Sequence, residues 1–327
     1  MLRLKCALYL LVLVLRPAGA FRPAAHSHAQ KLLQLSRRRD HTLTFVPKRQ
    51  RQQQQLQPQQ QRSLVTMQLD DSSPPMDSLA PPIPQLSWRR ILFFMANPLA
   101  LLPIASVAIF VFKLSWLGSA FSTATTAWQQ GVLIALPMLL LNQIADKCIP
   151  ALTSVTEASK VISLYALGGR LKPLRGLTAA VLISTAAAVA EEITFRGALQ
   201  TGIEGLLRWA TMPATLAASI ACVVQAIVFG ILHSYTPSPA YLITASVAGL
   251  AFGAAFTATH NLAVPIIMHF VIDVVGFSVC HYRVTVAGEA AQRKLMMMDS
   301  PIAASLRRVF QQTRDIKKPD SRGSKGR

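Results

Sequence analysis

The chain has 327 residues, 52% of them hydrophobic and only 14% charged, whereas a soluble globular domain carries about 25% charged residues. That deficit excludes an ordinary soluble domain and points to an all-α, polytopic membrane bundle. The net charge of +19 is unevenly placed: residues 1–69 hold 12 Lys and Arg against one acid, Asp40, so the basicity belongs to a presequence and does not argue for nucleic-acid binding.

Residues 1–20 carry Arg3 and Lys5, an apolar run, and a small-residue end at Ala18-Gly-Ala20. This is the pattern of a cleaved signal peptide, with an apolar stretch too short to span a bilayer. Residues 21–69 are rich in Arg, Gln and Ser and nearly free of acid, as transit peptides are. The order of the two, with Phe21 directly after the cleavage site, resembles the bipartite presequences of secondary plastids. The alternative is a secretory signal followed by a basic linker, which would leave the protein in the endomembrane system. The glutamine tract at 52–61 cannot build a core. A proline-rich linker at 70–90 ends on Trp88-Arg-Arg90, an interfacial anchor.

Six membrane spans are expected, at 91–112, 128–144, 177–201, 215–232, 241–259 and 263–280. Pro98 and Pro103 should kink the first. A basic, amphipathic connection covers 146–175. The basic loops fall on one side if all six segments cross, which puts both termini there. Gly249-x-x-x-Gly253 in the fifth span reads as a close helix contact. After the membrane domain, 91–283, a basic tail at 284–327 contains a short amphipathic helix. It starts with Ser300 as N-cap and Pro301 at its first position, and its apolar face suits the membrane surface. The four cysteines, Cys6, Cys148, Cys222 and Cys280, form no disulfide or metal framework.

The polar groups inside these spans carry the chemistry. Glu191, Glu192 and Arg196 follow the uncharged run 177–190. A charge near the bilayer centre costs roughly 2.5–3.5 kcal/mol, so three of them must face a protein-lined interior. Glu192 and Arg196 are four apart and can pair, acid first. Glu191 is rotated about 100° from Glu192, which leaves its carboxylate available to polarise water. His233 ends the fourth span one turn after Phe229. His269 and Asp273 stand four apart on the sixth, so Asp273 can orient the imidazole or bind water beside it. His260 and His281 read as interfacial residues.

Three of these motifs in this order, Glu191-Glu-Ile-Thr-Phe-Arg196, Phe229-Gly-Ile-Leu-His233 and His269-Phe-Val-Ile-Asp273, resemble those of the CPBP family. That family holds the type II CAAX prenyl endopeptidases and the Abi proteins, and the resemblance covers 177–283. It implies an intramembrane peptidase in which Glu191 and His233 activate water. His269 and Asp273 would stabilise the oxyanion or position the water, while Glu192 with Arg196 holds the motif helix and tunes the field. The substrate would be a membrane-associated protein or peptide, prenylated in CAAX-type cleavage, met within the lipid bilayer. Zn2+ held by Glu191, His233 and His269 and a glutamate-dependent mechanism without metal both stay open. Two other functions remain: a non-catalytic scaffold or assembly factor for plastid membranes, and an ion-coupled transporter using Glu191 and Asp273. The lack of an evident internal repeat argues against the transporter.

Overall fold

The computed structural model describes residues 82–234 and 239–315. The signal and transit-like segments, the glutamine tract, the start of the linker and the tail from 316 onward lie outside the described residues. Among the described residues the regular elements are all helical and there is no strand, as an all-α membrane bundle requires.

Helices α1 (Trp88–Leu99) and α2 (Leu102–Phe112) make up the first span. The kink expected from its prolines is a break between the two. Pro98 closes α1, Pro103 sits in the first turn of α2, and Leu101 donates its N–H to the Pro98 carbonyl at 3.0 Å. α3 (Thr125–Cys148) follows. A 3-10 turn then leads to α4 (Thr153–Leu167). α5 (Pro173–Glu192) runs without interruption through a π-helical segment, Ile193–Gln200, into α6 (Thr201–Trp209). α7 (Ala214–Leu232), α8 (Pro239–Thr259) and α9 (Ala263–Val286) complete the bundle. Two shorter helices, α10 (Gly288–Met297) and α11 (Pro301–Asp315), end it.

Among the described residues, five helical segments are long and apolar enough to cross a membrane: Trp88–Phe112, Pro173–Trp209, Ala214–Leu232, Pro239–Thr259 and Ala263–Val286. The expected second span, within α3, is a 24-residue helix but is not among them. Gln129, Gln130, Asn142 and Gln143 dilute its hydropathy, and one of these has a structural use, since Gln143 Oε1 accepts a hydrogen bond from Arg283 at 2.9 Å. Leu133, Leu140 and Leu141 nevertheless project outward from α3. Leu216, Ile227, Ile243 and Val247 do the same from α7 and α8, giving the apolar exterior of an integral membrane protein.

Two expectations are corrected by packing. Where a basic, amphipathic connection is expected at 146–175, the chain folds into α4, which is buried through Val161, Leu164 and Tyr165 against Val284 of α9. The C-terminal amphipathic helix exists, and the Ser300 hydroxyl accepts the Ala303 N–H at 3.2 Å. Its apolar face is covered by protein, however: Ala303 and Leu306 join the α4 cluster, and the Phe310 ring stacks on Tyr165 at 5.8 Å.

On the opposite end of the bundle, the loop before α3 is pinned to the α8–α9 turn. Ala120 donates to the His260 carbonyl at 2.9 Å, and Leu262 donates to the Leu117 carbonyl at 3.0 Å. Asn261 closes the join, its side chain donating to Ser122 O and accepting the Ala263 N–H at the start of α9, each at 2.9 Å. Gly118 is required here, because its φ is +87° and a Cβ would strike the His260 carbonyl. The bundle's centre is thereby fixed between α5, α7, α8 and α9.

Candidate active site

Glu191 and Glu192 end the α-helical part of α5, and the backbone widens into a π-helix at Ile193. The wider turn is visible where the Thr201 hydroxyl donates to the Arg196 carbonyl at 2.9 Å, five residues back. π-helical turns are rare and concentrate at functional sites. The sequence gives no local warning of this one. Its effect is to re-aim the motif side chains beyond Glu192.

Arg196 and Glu192 form the pair expected from their spacing, with Nη1 2.9 Å from Oε1 and both side chains fully buried. Arg196 Nη2 also donates to the Gly249 carbonyl at 3.0 Å. Its guanidinium carbon stands 4.7 Å from the Phe229 ring centre, 5.1 Å from Phe252 and 5.9 Å from Phe195. Three aromatic rings thus help stabilise a cation buried away from bulk solvent. Gly249 and Phe252 were not singled out as site residues. The Gly249-x-x-x-Gly253 spacing announced a close contact but not that the exposed backbone would serve as an acceptor for Arg196.

His233 directly follows α7. Its Nδ1 lies 2.7 Å from the Phe229 carbonyl, an oxygen that only accepts, so Nδ1 carries the proton and donates. This leaves Nε2 pointing at Glu191 Oε2, 3.4 Å away. The Phe229 ring stacks on the imidazole at 4.2 Å and meets Phe195 edge-on at 4.9 Å. The aromatic residue of each of the first two motifs therefore fixes the neighbouring functional groups.

His269 lies flat on Phe252, ring centres 5.1 Å apart. Its Nδ1 is 2.8 Å from Glu192 Oε1, and its Nε2 is 3.5 Å from Asp273 Oδ2 and 3.9 Å from Glu191 Oε2. The role expected for Asp273, orienting the imidazole, is shared: Glu192 holds one ring nitrogen and Asp273 faces the other. Glu192 and Arg196, given as catalytic candidates, are sealed away from any substrate. The side chains of Glu191, His233 and Asp273 keep 14%, 18% and 29% of their surface accessible, so these three line the open side.

All six sequence candidates thus meet in one cluster drawn from α5, the end of α7, and α9. His260 stays in the α8–α9 turn, while His281 lies inside α9 and is buried, unlike the interfacial residue expected. Gln225, buried on α7, was overlooked; a lone amide inside an apolar span was the available signal. It donates to the Gly249 carbonyl at 2.9 Å, beside Arg196. The three residues named as a zinc set do come together around Glu191 Oε2. Among the described residues, however, no group of three or more His, Cys, Asp or Glu side chains has the arrangement of a metal site, and the chemistry below uses side chains alone.

Comparison with curated proteins and comparison with solved structures give no match. Among protein families, the type II CAAX prenyl endopeptidase Rce1-like family matches residues 173–275, a stretch that contains all six site residues. The motif-bearing core of this chain is thus similar to the Rce1-like type II CAAX prenyl endopeptidases.

Proposed function

We propose that the protein is an intramembrane endopeptidase whose nucleophile is a water activated between Glu191 and His233. The observation that carries this reading is the approach of Glu191 Oε2 to within 3.4 Å of His233 Nε2 and 3.9 Å of His269 Nε2. A carboxylate facing two imidazole nitrogens on the accessible side of the cluster is a place where water can be held and deprotonated. Glu191 takes a proton from the water as the hydroxide oxygen bonds to the substrate carbonyl carbon. His269, as the imidazolium, donates from Nε2 to the developing oxyanion, with Asp273 keeping that edge of the ring in place. When the carbon–nitrogen bond breaks, the proton held by Glu191 passes to the departing amine. His233, with Nδ1 committed to the Phe229 carbonyl, keeps Nε2 turned to Glu191 throughout.

The substrate is a membrane-associated protein cut near the bilayer, and prenylation of that substrate follows the family reading. The bipartite presequence argues for a plastid membrane protein as the target rather than a cytosolic one. The direct test uses purified protein in lipid nanodiscs with a fluorogenic, lipidated peptide. Glu191→Gln and His233→Ala should each abolish cleavage while the protein remains folded. Retained cleavage by either variant overturns the mechanism. Normal complementation of a null strain by Glu191→Gln would instead favour the scaffold role.

A further inference from the structure

The buried ion pair is one end of a longer polar ladder. Glu192, Arg196 and Gln200 repeat every four residues along α5 and its π-helical continuation, and they face Gly249, Gly253 and Thr257, which repeat every four along α8. Arg196 Nη2 donates to the Gly249 carbonyl at 3.0 Å. Gln200 Nε2 donates to the Gly253 carbonyl at 3.2 Å and to the Thr257 hydroxyl at 2.9 Å. Gln225 of α7 enters from the third side and shares the Gly249 carbonyl with Arg196. Because carbonyl oxygens only accept, the two glutamine amides are held with nitrogen toward α8, and the direction of each Oε1 follows.

Four side-chain atoms of this ladder are buried and lack a protein hydrogen-bond partner: Glu192 Oε2, Arg196 Nε, Gln200 Oε1 and Gln225 Oε1. The residues that bear them are 0% exposed, or 1% for Gln200. Isolated orphans occur in many proteins, but a donor and three acceptors on one ladder inside a membrane segment are a different matter. Nothing in the hydrocarbon region can satisfy them, and buried polar groups in folded proteins nearly always find protein or ordered water. At Gly253 one of them, Gln200 Oε1, meets the side chains of Cys222 and Gln225. A Cβ there would lie 2.9 Å from Gln200 Oε1 and 2.8 Å from Cys222 Sγ, and the Gln225 amide nitrogen is closer still. Glycine at 253 thus lets the Gln200, Gln225 and Cys222 side chains close on the α8 backbone, which puts the Cys222 sulfur beside the ladder.

We infer that this ladder is a buried water site, holding ordered waters between α5, α7 and α8 from the Glu192–Arg196 pair to Gln200. Water is the ligand these atoms select. It accepts from Arg196 Nε, donates to the carboxylate and amide oxygens, and bridges acceptors that cannot bond one another. The waters keep the ion pair hydrated in the membrane interior. They thereby keep the carboxylate that holds His269 Nδ1 in its charged, fixed position. The ladder begins one residue from Glu191, so hydration is stored beside the centre that consumes water. That last consequence rests on the endopeptidase reading; the water site itself does not.

Radiolytic hydroxyl-radical footprinting with mass spectrometry tests the site on the full chain in nanodiscs, because radicals formed from bound water mark adjacent sulfur even where bulk solvent is excluded. Cys222 should be oxidised, whereas Met296, also buried but among apolar side chains in the α4 cluster, should not. Gln200→Leu and Gln225→Leu should each reduce Cys222 labelling and lower kcat about tenfold, the effect of a lost hydrogen bond, with KM unchanged. Cys222 as unreactive as Met296 in the unmodified chain overturns the water site without reference to activity or to any variant. Labelling as expected, but with kcat unchanged in both variants, overturns the link to catalysis alone.

Discussion

His269 donates from Nδ1 to Glu192 Oε1 over 2.8 Å, joining α9 to the end of α5 through the same oxygen that takes Arg196 Nη1. Glu192 is therefore more than the neutralising partner of Arg196. It fixes the position and tilt of a ring whose other nitrogen faces Glu191 and Asp273. Two adjacent glutamates thus divide the work by direction, since the helix turns one into the open side and the other into the protein.

The division predicts different failures. Glu191→Gln keeps the shape of the side chain and leaves the Glu192–Arg196 pair intact, so unfolding in detergent should move little while cleavage falls by about 10²–10⁴-fold, the scale of general-base catalysis. Glu192→Gln strands the Arg196 charge in a fully buried site and should destabilise by about 3–5 kcal/mol. Thermal unfolding monitored beside peptide cleavage separates the two; similar stability losses in both variants would refute the division.

Arg196 should resist even conservative change. Its flat guanidinium meets Glu192 and the Gly249 carbonyl through separate nitrogens while lying within reach of three phenylalanine rings. A lysine ammonium has no fork and a strongly hydrated charge. Arg196→Lys should therefore unfold at clearly lower temperature than the parent and recover little activity. A double-mutant cycle of Arg196→Met with Glu192→Gln should show strong coupling, the pair together being less damaging than the sum of the single changes.

Much of this was legible in the residues. Charge inside an apolar run located Glu191, Glu192 and Arg196, and four-residue spacing anticipated both the Glu192–Arg196 pair and the His269–Asp273 approach. Proline placed the break between α1 and α2. The π-helix at Ile193–Gln200 was not legible, because i to i+5 bonding arises from how α5 settles against α7 and α8 and leaves no periodic mark. The Glu192–His269 bond was hidden for a similar reason: 77 residues separate the partners, and only the packed bundle makes them neighbours. The burial of α4 was not legible because Glu157 and Lys160 give it a polar pattern, while most of the helices that bury Leu164 and Tyr165 come later in the chain.

Dependence on metal is a direct test of the proposed mechanism. The proposed nucleophile is a water held by Glu191 and His233, and no three acidic, histidine or cysteine side chains among the described residues are arranged around a metal position. Cleavage by the purified protein should therefore survive dialysis against a strong chelator, with elemental analysis showing sub-stoichiometric zinc. Loss of activity on chelation, restored by zinc at one equivalent per chain, would overturn the glutamate-and-histidine mechanism proposed here.

The motif glycine at 230 gives the most local test of how packing sets the site. A Cβ at Gly230 would stand 2.6 Å from the Leu242 carbonyl oxygen and even nearer the Ser246 hydroxyl. The hydroxyl belongs to a short side chain that can be removed, but the carbonyl belongs to the α8 backbone and cannot rotate away. Gly230→Ala should therefore push α7 from α8 and destabilise by about 1–3 kcal/mol, as overpacking does. His233 is three residues on and its Nε2 is only 3.4 Å from Glu191 Oε2, so the same displacement should lower kcat as well. Adding Ser246→Ala relieves the softer clash and leaves the backbone one, so the double variant should recover only part of the stability and little of the activity. Full recovery in the double variant would mean that the helix backbones do not set the His233–Glu191 distance, and unfolding temperature with kcat measured on the same preparations decides it.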